Sequence, residues 1–264
     1  MNGRTLDNLV ERLCQRDFKI LADIERFRLL TTRQVQRLHF ASDHLNASAA
    51  TRATARALFR LRQLSLISVL DRRIGGVRRG SASYVWQLGP AGDRLLRRMK
   101  GDPQRRRFVE PSHRFVNHTL AIVEVAVLLI ETERDTPGFA ITNLDTEPSN
   151  WRTFLGRNGV VEWLKPDLHL VTTTDEFENH QFIEVDLGSE HMPQIVAKCH
   201  TYQRYATTGA YQAEHGLFPA VLWLSDKPPR LATIAAAIEG DANLRPGLFQ
   251  IRSPDEFIET LVSS

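Results

Sequence analysis

Only two cysteines occur in 264 residues, Cys14 and Cys199. They form no CxxC pair, no zinc-spaced cluster and no disulfide framework. Isolated thiols suit a reducing compartment, so the chain is expected in the cytoplasm. No uninterrupted run of 18 apolar residues occurs, which argues against a membrane span. The first residues, MNGRTLDNLVERLCQRD, lack the apolar centre of a secretory leader. Glycines at 159, 188 and 216 stand alone, and no phosphate-cradling GxxxxGK[ST] loop is present, so ATP-driven work is not expected. Hydrophobic residues at 42% and charged residues at 25% are those of a folded globular chain rather than a disordered one.

Lysine is scarce in the first 110 residues, where only Lys19 and Lys100 occur, yet this part is strongly basic. It holds 23 Lys and Arg against 10 Asp and Glu, a balance of +13, while the remainder holds 11 against 21, a balance of −10. The net charge of +3 therefore hides two modules of opposite sign. A guanidinium fork matches phosphate oxygens, so the basic module favours a nucleic acid. Simple attraction between the two halves is the plainer explanation of the split.

Apolar residues at helical spacing predict a helix over 17–30, and Thr31 with Gln34 reads as a capping box opening a second helix through Leu38. A third helix is expected over 48–63. On it Arg52, Arg56 and Arg60 fall at i, i+4 and i+8 and share one stripe. Residues 66–70 and 83–88 read as strands joined by a glycine-centred loop carrying Arg72, Arg73, Arg78 and Arg79. Three helices and a hairpin are the order of a winged helix, here over residues 15–99. The arginine-bearing helix would enter the major groove of double-stranded DNA, and the loop would reach phosphates or the minor groove. A solvated arginine face would explain the stripe alone. Stripe, loop and charge balance together point to DNA. No pattern of exposed aromatics for stacking bases is evident, which disfavours RNA.

Residues 100–110 are polar and basic and read as a linker. The domain that follows, 111–255, runs helix (113–132), strand (139–144), strand (within 163–173), strand (181–187), helix (190–206), strand (220–224), an α-β-β-β-α-β order, making the chain a mixed α+β or α/β protein. Pro166-Asp167 opens one strand and Glu184-Val185-Asp186 closes the next. Two apart on a strand, Glu184 and Asp186 should share a face, with Asp167 beside them. Hard oxygens so grouped suit Mg²⁺ or Mn²⁺, which bridge to substrate phosphates and activate water. Lys198 would bring a positive charge, and Glu124 on the preceding helix an auxiliary acid. The plain alternative makes these carboxylates turn and surface residues. Tyr202 lies one turn beyond Lys198 and could act as a nucleophile, or, like Tyr205, pack the helix on its sheet. His113, His118 and His169 read as structural or surface residues.

This order, with Pro166-Asp167 and Glu184-x-Asp186, resembles the PD-(D/E)xK nuclease-like fold. The resemblance implies Asp167 and Glu184 on a metal and a lysine where Asp186 stands, Lys198 being a displaced equivalent. The chain over roughly 15–225 also resembles the replication-relaxation family, on its amino-terminal winged helix, the segment Phe182-Ile183-Glu184-Val185-Asp186-Leu187-Gly188-Ser189-Glu190, and Lys198 and Tyr202. That implies origin recognition and metal-dependent nicking for plasmid replication or conjugative transfer. Relaxases that hold metal on His-hydrophobe-His are a different class, for no His-x-His occurs here. Two rivals stay open. One is a non-catalytic winged-helix regulator whose second domain forms a homodimer or binds a partner. The other is a ligand-binding second domain read out by the first.

Overall fold

The computed structural model describes residues 3–41, 46–70, 84–103, 111–156, 159–175 and 177–263. They form a mixed α+β chain in two units, Met1–Val127 and Leu128–Ser264. The first holds α1 (Gly3–Val10), α2 (Gln15–Phe27), β1 (Leu30–Thr31), α3 (Thr32–His39), α4 (Ala47–Gln63), β2 (Ile67–Val69), β3 (Val85–Leu88) and α5 (Pro90–Lys100). Helix α2 buries Ile20, Leu21, Ile24 and Phe27, the stripe that its spacing predicts. It stops three residues short of the expected Leu30, because Arg28 takes a φ of 66° and turns the chain into β1. The capping box forms as read. Thr31 Oγ1 accepts from the Gln34 amide at 3.1 Å, and Gln34 Oε1 accepts from the Thr31 amide at 2.9 Å. Strands β1, β3 and β2 pair antiparallel in that order.

Helix α6 (His113–Asp135) spans the division between the units. The linker expected at 100–110 is therefore not where they divide, and residues 104–110 lie outside the described residues. Val116 and Leu120, early in α6, pack with Leu29, Leu70 and Val85 of the first unit. By length and composition α6 is long and apolar enough to cross a membrane, where no such segment was expected. Its apolar residues Val123, Val125, Ala126, Val127 and Leu129 are buried in protein.

The second unit is built on a mixed five-stranded sheet, in the order β10 (Phe249–Arg252), β9 (Ala220–Leu224), β8 (Glu178–Val185), β7 (Leu168–Thr173), β4 (Ala140–Thr146). Strands β4, β7 and β8 pair antiparallel, while β8, β9 and β10 run parallel. The parallel pairs need crossovers, supplied by α7 (Met192–Thr207) and α9 (Pro228–Glu239). Two crossovers of the same hand, stepping the same way, lie on one face. Accordingly Ile195 and Cys199 of α7 and Ile234 and Ile238 of α9 all pack on Trp223 of β9. Between β4 and β7 the chain inserts a two-stranded ribbon, β5 (Arg152–Leu155) and β6 (Val161–Leu164), which sequence periodicity does not predict. A short helix, α8 (Ala210–His215), precedes β9, and α10 (Pro254–Ser263) follows β10.

Helix α5 lies close on the turn before β2. A Cβ added at Gly92 would stand 2.1 Å from the carbonyl oxygen of Leu66. Alanine in a helix interior ordinarily gains about 1 kcal/mol over glycine. Here Gly92→Ala is expected to lose about 1–3 kcal/mol through overpacking, seen as a fall in the thermal midpoint.

Candidate functional site

The β7–β8 ladder ends where Leu168 pairs with Ile183, and Asp167, one residue before β7, lies beside the end of β8, close enough to Glu184 to act on its carboxyl. The backbone fixes Asp167 from both sides: its amide donates to Ile183 O at 3.1 Å, and its Oδ2 accepts from the Val185 amide at 2.8 Å. From α7, Lys198 Nζ donates to Glu184 Oε2 at 2.5 Å, and the Tyr202 hydroxyl donates to Glu184 Oε1. Lys198 and Tyr202 are one helical turn apart and so reach one carboxylate together. Asp167, Glu184, Lys198 and Tyr202 thus form one cluster at the carboxyl end of β8.

Burial sets its electrostatics. Glu184 is 1% exposed, and loss of hydration raises its pKa to about 8. Asp167 adds to the rise, while Lys198 pulls it down. Burial works against the Lys198 ammonium, but Glu184 and Asp167 outweigh it and hold the lysine above its ordinary range. The Tyr202 phenol is raised well above its ordinary value by burial and by Glu184. Fully buried, neutral and donating to a carboxylate, Tyr202 positions Glu184. It does not present a nucleophile to DNA, contrary to one sequence expectation.

Two other expectations change. Asp186 lies past the end of β8, where strand alternation no longer applies, and its carboxylate turns to α9. Arg230 Nε donates to its Oδ2 at 2.5 Å and Arg230 Nη2 to its Oδ1 at 3.1 Å, and the Gly188 amide adds a third bond at 3.0 Å. Asp186 thus ties the end of β8 to α9 instead of joining Glu184. Glu124 belongs to the first unit, where it pairs with Arg37 and accepts from Gln34 Nε2 at 3.0 Å. Its carboxylate is engaged there. Arg230 itself escapes sequence reasoning, because no local pattern links it to a residue 44 positions earlier. His169 is buried, as a structural residue should be. Its Nε2 meets the Tyr211 hydroxyl at 2.8 Å, and burial, with Arg152 nearby, lowers its pKa to about 4.

In the first unit, Arg52 and Arg56 are exposed on α4 and make no ion pair among the described residues. Arg60 differs: its Nη2 lies 2.5 Å from Oδ1 of the buried Asp17. The stripe read from spacing is thus two solvent-facing arginines and one that secures α4 to α2. Arg72, Arg73, Arg78 and Arg79 lie outside the described residues. The sequence also hid an aromatic surface, in which Trp163 of β6 stands edge-on to Trp151 at 5.9 Å.

A family model described as replication-relaxation matches residues 21–221. The chain belongs to the replication-relaxation family. In this replication-relaxation protein the matched segment runs from α2 into β9. It takes in Arg52 and Arg56 and the whole Asp167–Glu184–Lys198–Tyr202 cluster, and stops before Arg230. A solved structure of the restriction endonuclease FokI bound to DNA aligns over 94% of this chain and 44% of that one, at 11% identity and a TM-score of 0.31. This chain thus spans less than half the length of that nuclease. Comparison with curated proteins finds no match.

The Glu184–Lys198 pairing predicts a pH-dependent stability. Burial raises the pKa of the folded carboxyl to about 8, against an ordinary 4.5. Its contribution is therefore present at low pH and lost as pH rises towards 8. Lys198→Met removes the cation that restrains this rise, which extends the loss to higher pH. In urea unfolding from pH 5 to 9, the deficit of Lys198→Met against the parent should be smallest at pH 5. It should widen above pH 8 by at most about 1.4 kcal/mol per pH unit, the linkage of one proton. A deficit independent of pH would refute the pairing.

Proposed function

We propose that this chain is a DNA-binding protein serving the replication or conjugative transfer of a plasmid or other mobile element in the cytoplasm. Family membership supports that setting. In this reading the first unit is a winged helix holding double-stranded DNA at the origin, and the second is a PD-(D/E)xK-like domain that nicks it. The helix order, the β1-β3-β2 sheet and the solvent-facing arginines of α4 support the first part. The observation that carries the second is the meeting of Asp167, Glu184 and Lys198 from two neighbouring strands and the following helix.

Among the described residues no group of three His, Cys, Asp or Glu forms a complete metal cage. Two carboxylates fit the mode in which Mg²⁺ or Mn²⁺ keeps several waters and leans on substrate phosphates. Asp167 and Glu184 would hold such an ion, which when bound supplies Lewis acidity and a more acidic water. Tyr202 keeps Glu184 oriented. Lys198 supplies positive charge against the negative charge that develops on the phosphate during attack. The acid role assigned to Glu124 and the chemical role of Asp186 drop out of this reading.

A specific observation favours a second reading. Glu184 is almost wholly buried and doubly held, and the position of the family-pattern lysine is an aspartate committed to Arg230. A centre so closed suits a non-catalytic regulator whose second unit forms a homodimer or binds a partner.

Nicking of supercoiled plasmid in Mg²⁺ or Mn²⁺ separates the two. The nuclease reading expects open circles from the parent and about a hundredfold or greater loss of rate in Asp167→Asn and in Lys198→Ala. Metal-independent binding with no cleavage of any DNA by the parent decides for the regulator. Binding is tested apart from cleavage. Replacing Arg52 and Arg56 by alanine should weaken duplex affinity and lower the slope of log affinity against log salt by about 0.9 for each phosphate no longer neutralised. An unchanged slope removes α4 from the interface.

A further inference from the structure

We propose that the outer face of the β5–β6 ribbon binds an unpaired nucleic-acid strand and leads it to Asp167. The stacking surface stands on its own geometry. Its service to the cluster rests on the reading that this cluster acts on DNA.

The ribbon is fixed in place. Phe154 and Leu164 on its inner side are buried with Phe182, Tyr202 and Tyr205, and Arg204 of α7 binds Glu162 of β6 at 2.7 Å. Its outer side pairs Thr153 with Trp163 and Leu155 with Val161. Leu155 is 68% exposed, Val161 57% and Trp163 53%. The solvated face of a two-stranded ribbon ordinarily carries polar side chains. A contiguous apolar face in water marks a binding surface.

The cation on this face selects the occupant. Lys165 Nζ lies 4.0 Å from the Trp151 ring centroid and 5.4 Å from that of Trp163. A second copy of the chain would need only the Leu155–Val161 strip. An exposed indole beside an ammonium instead matches a polymer of flat apolar rings joined by anions, with a base stacked on Trp163 and a phosphate on Lys165. Duplex DNA hides its base faces, so the ligand is an unpaired strand.

Its position gives the platform a use. Lys165 precedes Asp167 by two residues, about 7 Å along an extended chain. The turn between them is pinned by Asn150 Nδ2, which donates to Pro166 O at 2.7 Å. A strand lying on Trp163 and Lys165 would continue towards the start of β7 at Asp167, which would make single-stranded rather than duplex DNA the substrate of that cluster.

The test uses the full chain, without added metal, titrated with oligothymidylate and with a duplex of equal length, followed by tryptophan fluorescence and by anisotropy of labelled DNA. The parent is expected to bind oligothymidylate with quenching. Trp163→Ala should bind it about 5- to 100-fold more weakly, Trp163→Phe should recover most of the affinity, and Lys165→Glu should weaken it too. Duplex affinity should stay unchanged in all three. Equal affinity of parent and Trp163→Ala for oligothymidylate overturns the proposal. So does a concentration-dependent dimer that Trp163→Ala dissociates, which would make the ribbon a self-association face. Circular dichroism of each variant separates misfolding from removal of the stacking ring, and Trp163→Phe and Lys165→Glu keep the test decisive if Trp163→Ala does not fold. If Asp167→Asn binds oligothymidylate like the parent while no variant or parent cleaves DNA, the nicking centre fails and the platform stands.

Discussion

The second unit depends on one buried carboxylate. Glu184 points into the interior from β8, where an unpaired charge would be strongly destabilising. Lys198 and Tyr202 answer it from consecutive turns of α7, which sets the rotation of that helix about its axis. With the rotation fixed, Ile195 and Cys199 meet Trp223 while Tyr205 meets Phe182. The register of helix on sheet and the grouping of the candidate chemical residues therefore have the same cause. A buried pair of this kind adds little net stability, because desolvation offsets its attraction, but removing one partner is strongly destabilising.

Two further polar links secure neighbouring parts of this unit. Asp186 and Arg230 join the end of β8 to α9, and Glu162 and Arg204 join the β5–β6 ribbon to α7. Each partner lies 42 or more residues away in sequence. They hold Glu184 and Asp167 between fixed neighbours. The closure that makes the cluster precise also limits its exposure, and this tension separates the nuclease reading from the regulator reading.

The first unit shows that a charge count and an interface are different things. Its surplus of arginine is real, yet Arg60 is committed to Asp17 and Arg37 to Glu124. Arg52 and Arg56 on the exposed side of α4 are among the cations that the described residues leave for a phosphate backbone. A stripe at i, i+4 and i+8 reports which residues share a helix face. It does not report that the edge of the stripe overlooks a buried aspartate on the next helix.

Sequence alone determined what depends on local period and local chemistry. The apolar spacing of α2 and α7, the Thr31–Gln34 capping box, and strands β4, β7, β8 and β9 follow from 3.6- and 2-residue repeats, and these repeats also brought Asp167, Glu184 and Lys198 into view. Tertiary structure decided what depends on partners distant in sequence. It turned Asp186 to Arg230, engaged Glu124 with Arg37 and buried the Tyr202 hydroxyl on Glu184. It also folded the short β5–β6 ribbon so that Trp151 and Trp163 meet. The physical reason is the same in each case. Periodicity fixes the direction of a side chain relative to its own element, whereas the partner of a charge or a ring is whatever the packing of other elements brings within reach.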